Sequence, residues 1–299
     1  MPVLVVGSIA LDTVETSHGK AQDSPGGSAL YFSAAASLFS PVDVVGVVGK
    51  DFDFSTIEFL KEREVDFTGL RVTEGKTFRW GGRYKENMNQ RDTLFTHLNV
   101  FQNFRPAIPE KYRQDKLIFL ANIAPELQLD VLAQVEKPAL SVLDTMNFWI
   151  SGARDLLMQL IEKVDVLILN DEELRELTNK FNMLESANLL LEQGPRAVVI
   201  KKGEHGSVLV SRKGYFLAPA YPVPKVVDPT GAGDSFAGGF LGYLAACEDI
   251  DELNIRRAVV YGTVAASFTV EDFSFNRLKS ITRQDIESRF NEVREMTAF

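Results

Sequence analysis

The densest chemistry in the 299-residue chain lies at Asp228-Pro-Thr-Gly-Ala-Gly-Asp-Ser-Phe-Ala-Gly-Gly-Phe, residues 228–240. Gly231, Ala232 and Gly233 are small enough for backbone to come close to a ligand, and a long helical pattern begins at Gly233 or Asp234. Unpaired amides at a helix start, together with the positive end of the helix dipole, attract an anion. A carboxylate at the same spot is electrostatically wasteful unless it has a task. The useful task for Asp234 is to orient and deprotonate a hydroxyl that attacks a phosphoryl group. Read alone, Asp234 could instead cap the helix, as acidic side chains commonly do.

Other residues could serve the same chemistry. Asp12 follows the apolar run Val3–Ile9, and a carboxylate just past a buried parallel strand lies at the carboxyl edge of the sheet, where open α/β sheets take ligands. Gly26 and Gly27 precede a helical pattern and serve either as a turn or as a close approach to a ligand. Asn170-Asp-Glu-Glu173 follows the run VDVLIL, and Asn with Glu three residues on is a capping box that needs no ligand. Lys201-Lys-Gly203-Glu-His-Gly206 has the form of a hairpin turn with two surface cations. Two common phosphate motifs are absent. No G-x-G-x-x-G follows the first strand, and Gly69–Thr77 has five residues between its glycines where a Walker loop has four.

These residues need a scaffold. Apolar, β-branched runs at Val3–Ile9, Asp43–Val48, Leu117–Leu120, Leu140–Leu143, Asp165–Leu169 and Ala197–Lys201 alternate with helical patterns near 28–39, 54–63, 127–135, 153–163 and 182–193. Long helices are expected over Gly233–Ala246 and Glu252–Thr269. The alternation predicts a mainly parallel sheet with helices on both faces, in one compact unit over 1–299. From about 72 to 100 the rhythm breaks into two alternating segments around a polar turn, which predicts a two-stranded hairpin over 76–98 with its turn in Lys85–Arg91. Phe78, Trp80 and Tyr84 would share one side of it, and Thr77, Arg79 and Arg83 the other. An apolar hairpin face needs a partner surface. The expectation is therefore that the arginine side faces the site while the aromatics bury against a second subunit, giving a homodimer sealed through its lids.

Composition narrows the classes. Thirty-two Lys+Arg against 41 Asp+Glu leave a net charge of −9, which argues against a nucleic-acid or anionic-membrane partner. Any bound phosphate must be held locally, by backbone amides or a few placed cations. One Cys rules out an internal disulfide, and three His at 18, 97 and 205 have no zinc spacing. The N-terminal segment lacks a basic region and its apolar run ends at Asp12, so it is read as a first strand, and the expected location is the cytoplasm.

The segment at 228–240 resembles the C-terminal signature of the ribokinase-like (PfkB) carbohydrate kinases, and further motifs fall in that family's order along nearly the whole chain. The resemblance implies a ribokinase-like α/β fold with a small β lid. It implies an ATP-dependent transfer to a hydroxyl of a small sugar or sugar-like substrate, with Asp234 as general base and Gly231, Ala232 and Gly233 as the anion hole. It places Asp12, Gly26 and Gly27 on the acceptor. Asn170, Glu173, Lys201, Gly203, Gly206 and Thr230 fall with the nucleotide, and Glu173 with Mg²⁺, directly or through water. It leaves room for a monovalent cation. A carboxylate of ordinary basicity would suffice, because phosphoryl transfer is largely dissociative. Two positions depart from the family pattern: Tyr31 stands where an Asn is usual after the di-glycine, and Asp144-Thr-Met-Asn147-Phe-Trp149 has Trp where Arg is expected. The alternatives are a nucleoside kinase of the same family, with lid aromatics stacking a base, and a catalytically silent sugar- or nucleotide-binding regulator.

Overall fold

A strand without polar alternation has to be covered on both faces. Val3–Val6 (β1) is such a strand, and all four of its side chains are fully buried in the computed structural model, which describes residues 1–298. Val3 and Val5 enter one apolar core and Leu4 and Val6 the other. In chain order the remaining strands are β2 (Ala10–Thr16), β3 (Gly19–Gly26), β4 (Val42–Gly49), β5 (Val65–Thr73), β6 (Phe78–Tyr84), β7 (Arg91–His97), β8 (Leu117–Leu120), β9 (Leu140–Asp144), β10 (Val166–Asn170), β11 (Ala197–Lys201), β12 (Ser207–Ser211) and β13 (Gly214–Ala218).

Nine strands form the large sheet in the order β13-β12-β11-β10-β9-β8-β1-β4-β5. Every pairing from β11 to β5 is parallel, and β12 and β13 close that end antiparallel. The chain runs from β1 outward to β4 and β5, then returns to the opposite side of β1 as β8. Strand order reverses there, and the crevice at the carboxyl ends of such strands is where ligands enter open α/β sheets.

Three helices cover one face above that crevice: Ser28–Ala36, Ala232–Ala245 and Glu252–Thr269. They approach closely because the contacts are glycine and alanine. A Cβ on Gly238 would meet the Phe32 carbonyl and Ala35, and one on Gly239 would meet Ala265 and the Tyr261 carbonyl.

Each of the six anticipated parallel strands is present. The first ends at Val6 instead of Ile9, because the chain leaves the large sheet at Gly7 and turns into a second sheet of order β3-β2-β6-β7. Two expectations are corrected here. Asp12 does not follow a strand of the large sheet; it sits within β2. The hairpin β6–β7 has its turn at 85–90 as expected, yet it is half of a four-stranded sheet, with β2 pairing parallel to β6 and antiparallel to β3. β2 and β3 escaped notice because Asp, Thr, Glu, Ser and Pro break their apolar pattern. Among the described residues no helix is long and apolar enough to cross a membrane.

Candidate active site

Two helices begin at the crevice, and both begin with glycine. Gly27 (φ 89°) precedes Ser28–Ala36 and Gly231 (φ 75°) precedes Ala232–Ala245. Both φ values lie where a side chain would be strained. Neither glycine offers a capping side chain, but Ser8 closes the first start, its Oγ accepting from the Ser28 amide at 3.1 Å and its carbonyl from the Ala29 amide at 3.0 Å. At the second start the Ala232 amide turns back to the Pro229 carbonyl at 3.2 Å, and the donors left for a ligand are the amides of Gly231 and Gly233. The Tyr31 ring fills the space between the two. A Cβ on Gly231 would collide with that ring, and Tyr31 is only 1% exposed, packed edge-on against Phe275. The residue in the usual place of Asn thus props up the turn at Gly231.

Carboxylates gather around these helix starts. Asp12 covers Gly26 closely enough that a Cβ there would strike its carboxylate, and it accepts a bond from the Gly27 amide. Burial pushes its pKa up to about 7, and Asp228 and Asp234 add to the rise. Asp228 shapes the motif loop: its Oδ1 accepts from the Thr230 amide at 2.9 Å and its Oδ2 from the Ser274 amide at 3.4 Å. Asp234 lies in the first turn of its helix, partly open to the cleft. Loss of hydration, then the charge of Asp144, raises it to about 7 against the pull of Lys201 and Arg91. That is well above the ordinary carboxylate range expected from sequence.

Lys201, at the end of β11, is no surface cation. Its Nζ lies 3.0 Å from Asp144 Oδ1 and 2.9 Å from where a Cβ on Gly233 would stand. Glu173, 6% exposed, is raised to about 7 mainly by burial. It closes the capping box in full: Oε2 accepts from the Asn170 amide at 2.7 Å, and Asn170 Oδ1 accepts from the Glu173 amide at 2.8 Å. Gly203 (φ 54°) and Gly206 (φ 82°) turn the chain beside it into β12. Asp144 and Arg91 were missed as members of the site. The acidic residue opening the 144–149 segment was the available signal for Asp144, and nothing local marked Arg91. Trp149 donates its indole N–H to Asn122 Oδ1 at 2.9 Å.

The small sheet decides which surface meets this cluster. Trp80 pairs with Asp12, so both project from the same face. Tyr84, on that face, is buried with its hydroxyl 3.2 Å from Thr230 Oγ1 in the anion motif. Arg79 and Arg83 point away, held by Asp23 and Asp51 and by Glu15. The expectation of an arginine face toward the site is therefore overturned. Strand alternation was right, and the assignment of sides was reversed. With Trp80 and Tyr84 turned inward and Phe78 stacked on Phe101 (5.4 Å), the apolar face that called for a second subunit is covered by the chain itself. Phe95 remains on the outer face, where it covers Gly81 and stacks on His97 (5.0 Å).

The model of the pfkB family carbohydrate kinases matches residues 2–279. The chain belongs to that family. It is 30% identical over 267 residues to the cytidine kinase of Thermococcus kodakarensis, covering 86% of this chain and 95% of the relative. Among solved structures, the nucleoside kinase of Methanocaldococcus jannaschii superposes with a TM-score of 0.78 at 21% identity over 97% of this chain and 98% of that one. Arabidopsis thaliana ribokinase complexed with ribose and ATP superposes at 0.77 and 21%, again over 97% and 98%. These likenesses confirm the ribokinase-like fold. Within this kinase the fold brings together Asp12, Gly26, Gly27, Gly231, Ala232, Gly233 and Asp234 at the helix starts. Asn170, Glu173, Lys201, Gly203 and Gly206 lie at the neighbouring strand ends.

Proposed function

We propose that this kinase transfers the terminal phosphoryl group of ATP to a hydroxyl on the sugar portion of a nucleoside. The observation that carries the choice is the inward face of the small sheet: Trp80 and Tyr84 look into the cleft, while both neighbouring arginines are ion-paired outside it. Aromatic faces suit a flat base better than a free sugar. The name of the Thermococcus relative supports the same reading.

In this reading the sugar lies against Asp12 and the backbone at Gly26 and Gly27. The phosphoryl group sits over the turn Gly231-Ala232-Gly233, held by the amides of Gly231 and Gly233, with Thr230 alongside. Asp234 holds the acceptor hydroxyl and takes its proton as the oxygen–phosphorus bond forms. The bond to the bridging oxygen of ADP breaks in the same displacement, and the leaving electron pair stays on ADP. A pKa near 7 makes Asp234 a better base than a surface carboxylate, at the cost that it must first lose its own proton. The nucleotide runs along the 201–206 turn. Mg²⁺ fits the donor chemistry, since it takes one or two carboxylates and relies on phosphate and water for the rest. Glu173, whose other oxygen is not used by the capping box, would face it, and the ion would supply charge neutralisation on the phosphates. The sugar-kinase reading uses the same residues and differs only in leaving Trp80 idle. A silent regulator has no use for Asp234 beside an open anion hole.

Release of ADP over a panel of nucleosides and free sugars tests the proposal. Nucleosides should turn over with the higher kcat/KM, and Trp80→Ala should raise the nucleoside KM roughly tenfold through lost stacking while leaving the KM of any free sugar unchanged. Equal efficiency on ribose and its nucleosides would return the protein to the sugar kinases.

A further inference from the structure

Arg91 opens β7, and three contacts fix where it stands. Its cross-strand partner Tyr84 reaches Thr230 in the anion motif. Two residues earlier, Asn89 lies against the nucleotide turn, its side-chain oxygen 3.4 Å from where a Cβ on Gly203 would be. Its own guanidinium carbon lies 5.6 Å from the centroid of the Trp80 ring. One end of this hairpin turn therefore touches the phosphoryl site and the other touches the nucleotide side, and Arg91 spans the gap on the inward face.

The charge at that point is uncommitted. Among the described residues no carboxylate pairs with Arg91, whereas on the outer face Arg79 holds two and Arg83 one, and Lys201 is taken by Asp144. Its field is felt by both Asp234 and Glu173, across the space where the phosphates would lie. A cleft lined by Asp12, Asp144, Glu173, Asp228 and Asp234 repels a polyanion unless mobile cations offset the acids. Resting over Trp80, a guanidinium keeps its planar fork of donors free for two phosphate oxygens.

We propose that Arg91 is a catalytic residue of this kinase, donating paired hydrogen bonds to the non-bridging oxygens of the transferring phosphoryl group when the hairpin is closed. The inference rests on the kinase reading above but not on whether the acceptor is a nucleoside or a sugar. No bond to Arg91 forms or breaks; its charge offsets what develops on the phosphoryl oxygens.

The test compares wild type with Arg91→Gln and Arg91→Lys on whichever acceptor the wild type turns over, so the acceptor panel decides the functional reading and the variants decide this one. Arg91→Gln should lower kcat by about 10²-fold with acceptor KM changed less than about threefold, and Arg91→Lys should keep a larger share of kcat as a point charge without the fork. A second readout is independent of turnover: Arg91→Gln should bind ADP like wild type but lose the extra affinity that aluminium fluoride gives ADP in the presence of acceptor. A raised acceptor KM at unchanged kcat would place Arg91 on the substrate. Unchanged kcat with unchanged affinity for ADP–aluminium fluoride would remove it from the reaction altogether.

Discussion

The large sheet carries an acidic cluster at each end, and only one of them stands beside unpartnered backbone amides. At the amino ends of the strands, Asp43, Asp66 and Asp115 face one another. Burial and the neighbouring charge raise Asp115, which is 6% exposed, and Asp66 is held low by Lys111 and Thr68. Asp66 accepts from the Thr68 amide at 2.8 Å and its hydroxyl at 2.7 Å and pairs with Lys111, so its charge is met locally. At the carboxyl ends, Asp12, Asp234 and Glu173 are raised as well, but they stand beside the unpartnered amides of Gly231 and Gly233, a half-buried lysine and an unpaired arginine, under a second sheet. Shifted carboxyl groups occur at both ends. What separates them is the supply of unused donors and the opening to solvent, so a perturbed pKa marks a functional site only together with geometry.

The sharpest way to break this contrast is to neutralise one acid at each end. Asp234→Asn should lower kcat by roughly 10²–10⁴-fold, measured as ADP release, while ADP binding persists. Near-native turnover would remove Asp234 from the chemistry. In the wild type, kcat/KM should fall as the pH drops below about 7, because Asp12 and Asp234 must both be ionised and both have raised pKa values. A flat profile from pH 8 to 5.5 would show that neither charge matters. Asp12→Asn should raise the acceptor KM about 10- to 100-fold, the worth of a charge-assisted hydrogen bond, with the ATP KM little changed; a rise confined to ATP would reverse the two subsites. Glu173→Gln should weaken the Mg²⁺ dependence of turnover several-fold without lowering the melting temperature, since an amide oxygen can still complete the capping box. A lower melting temperature at unchanged Mg²⁺ dependence would reduce Glu173 to a cap.

The smallest effect on activity belongs to the amino end. Asp115→Asn should leave kcat and both KM values within about twofold, because no reacting group lies there. It should raise the melting temperature at pH 8 more than at pH 5. A carboxyl whose folded pKa lies above its unfolded value of about 4 is stable in the neutral form, and stability is lost as pH rises through the interval between the two values. A loss of turnover in Asp115→Asn would mean that the two ends are coupled through the sheet.

Much of the scaffold was legible because it depends on local pattern. The run VLVV could only be a strand covered on both faces, and the Asn170–Glu173 spacing formed the capping box it spelled. The hairpin turn fell at 85–90 because alternation and polar turn residues are properties of adjacent positions. Gly231 and Asp234 drew attention through a dense motif that needs no distant partner to be recognised.

Other features depend on residues far apart in the chain. Asp12 looked like a strand-end carboxylate, but it belongs to a sheet whose neighbouring strand begins at Phe78, and no window of sequence contains both. Lys201 looked like a surface cation until the fold set it against Asp144, 57 residues away. Alternation separated Trp80 from Arg79 correctly, yet a strand has two faces of equal standing in sequence. Only the docking of Tyr84 onto Thr230, 146 residues on, together with the outward ion pairs of Arg79 and Arg83, chose which one looks into the cleft. The sequence by itself determined six of the seven parallel strands, the hairpin turn, the Asn170 helix start and the glycine-rich motif at 228–240, since these follow from neighbouring side chains and backbone conformation. Tertiary structure alone decided which carboxylates share a cleft, which cations are already neutralised and which face the substrate meets, because burial and charge pairing are set by groups that the chain brings together only on folding.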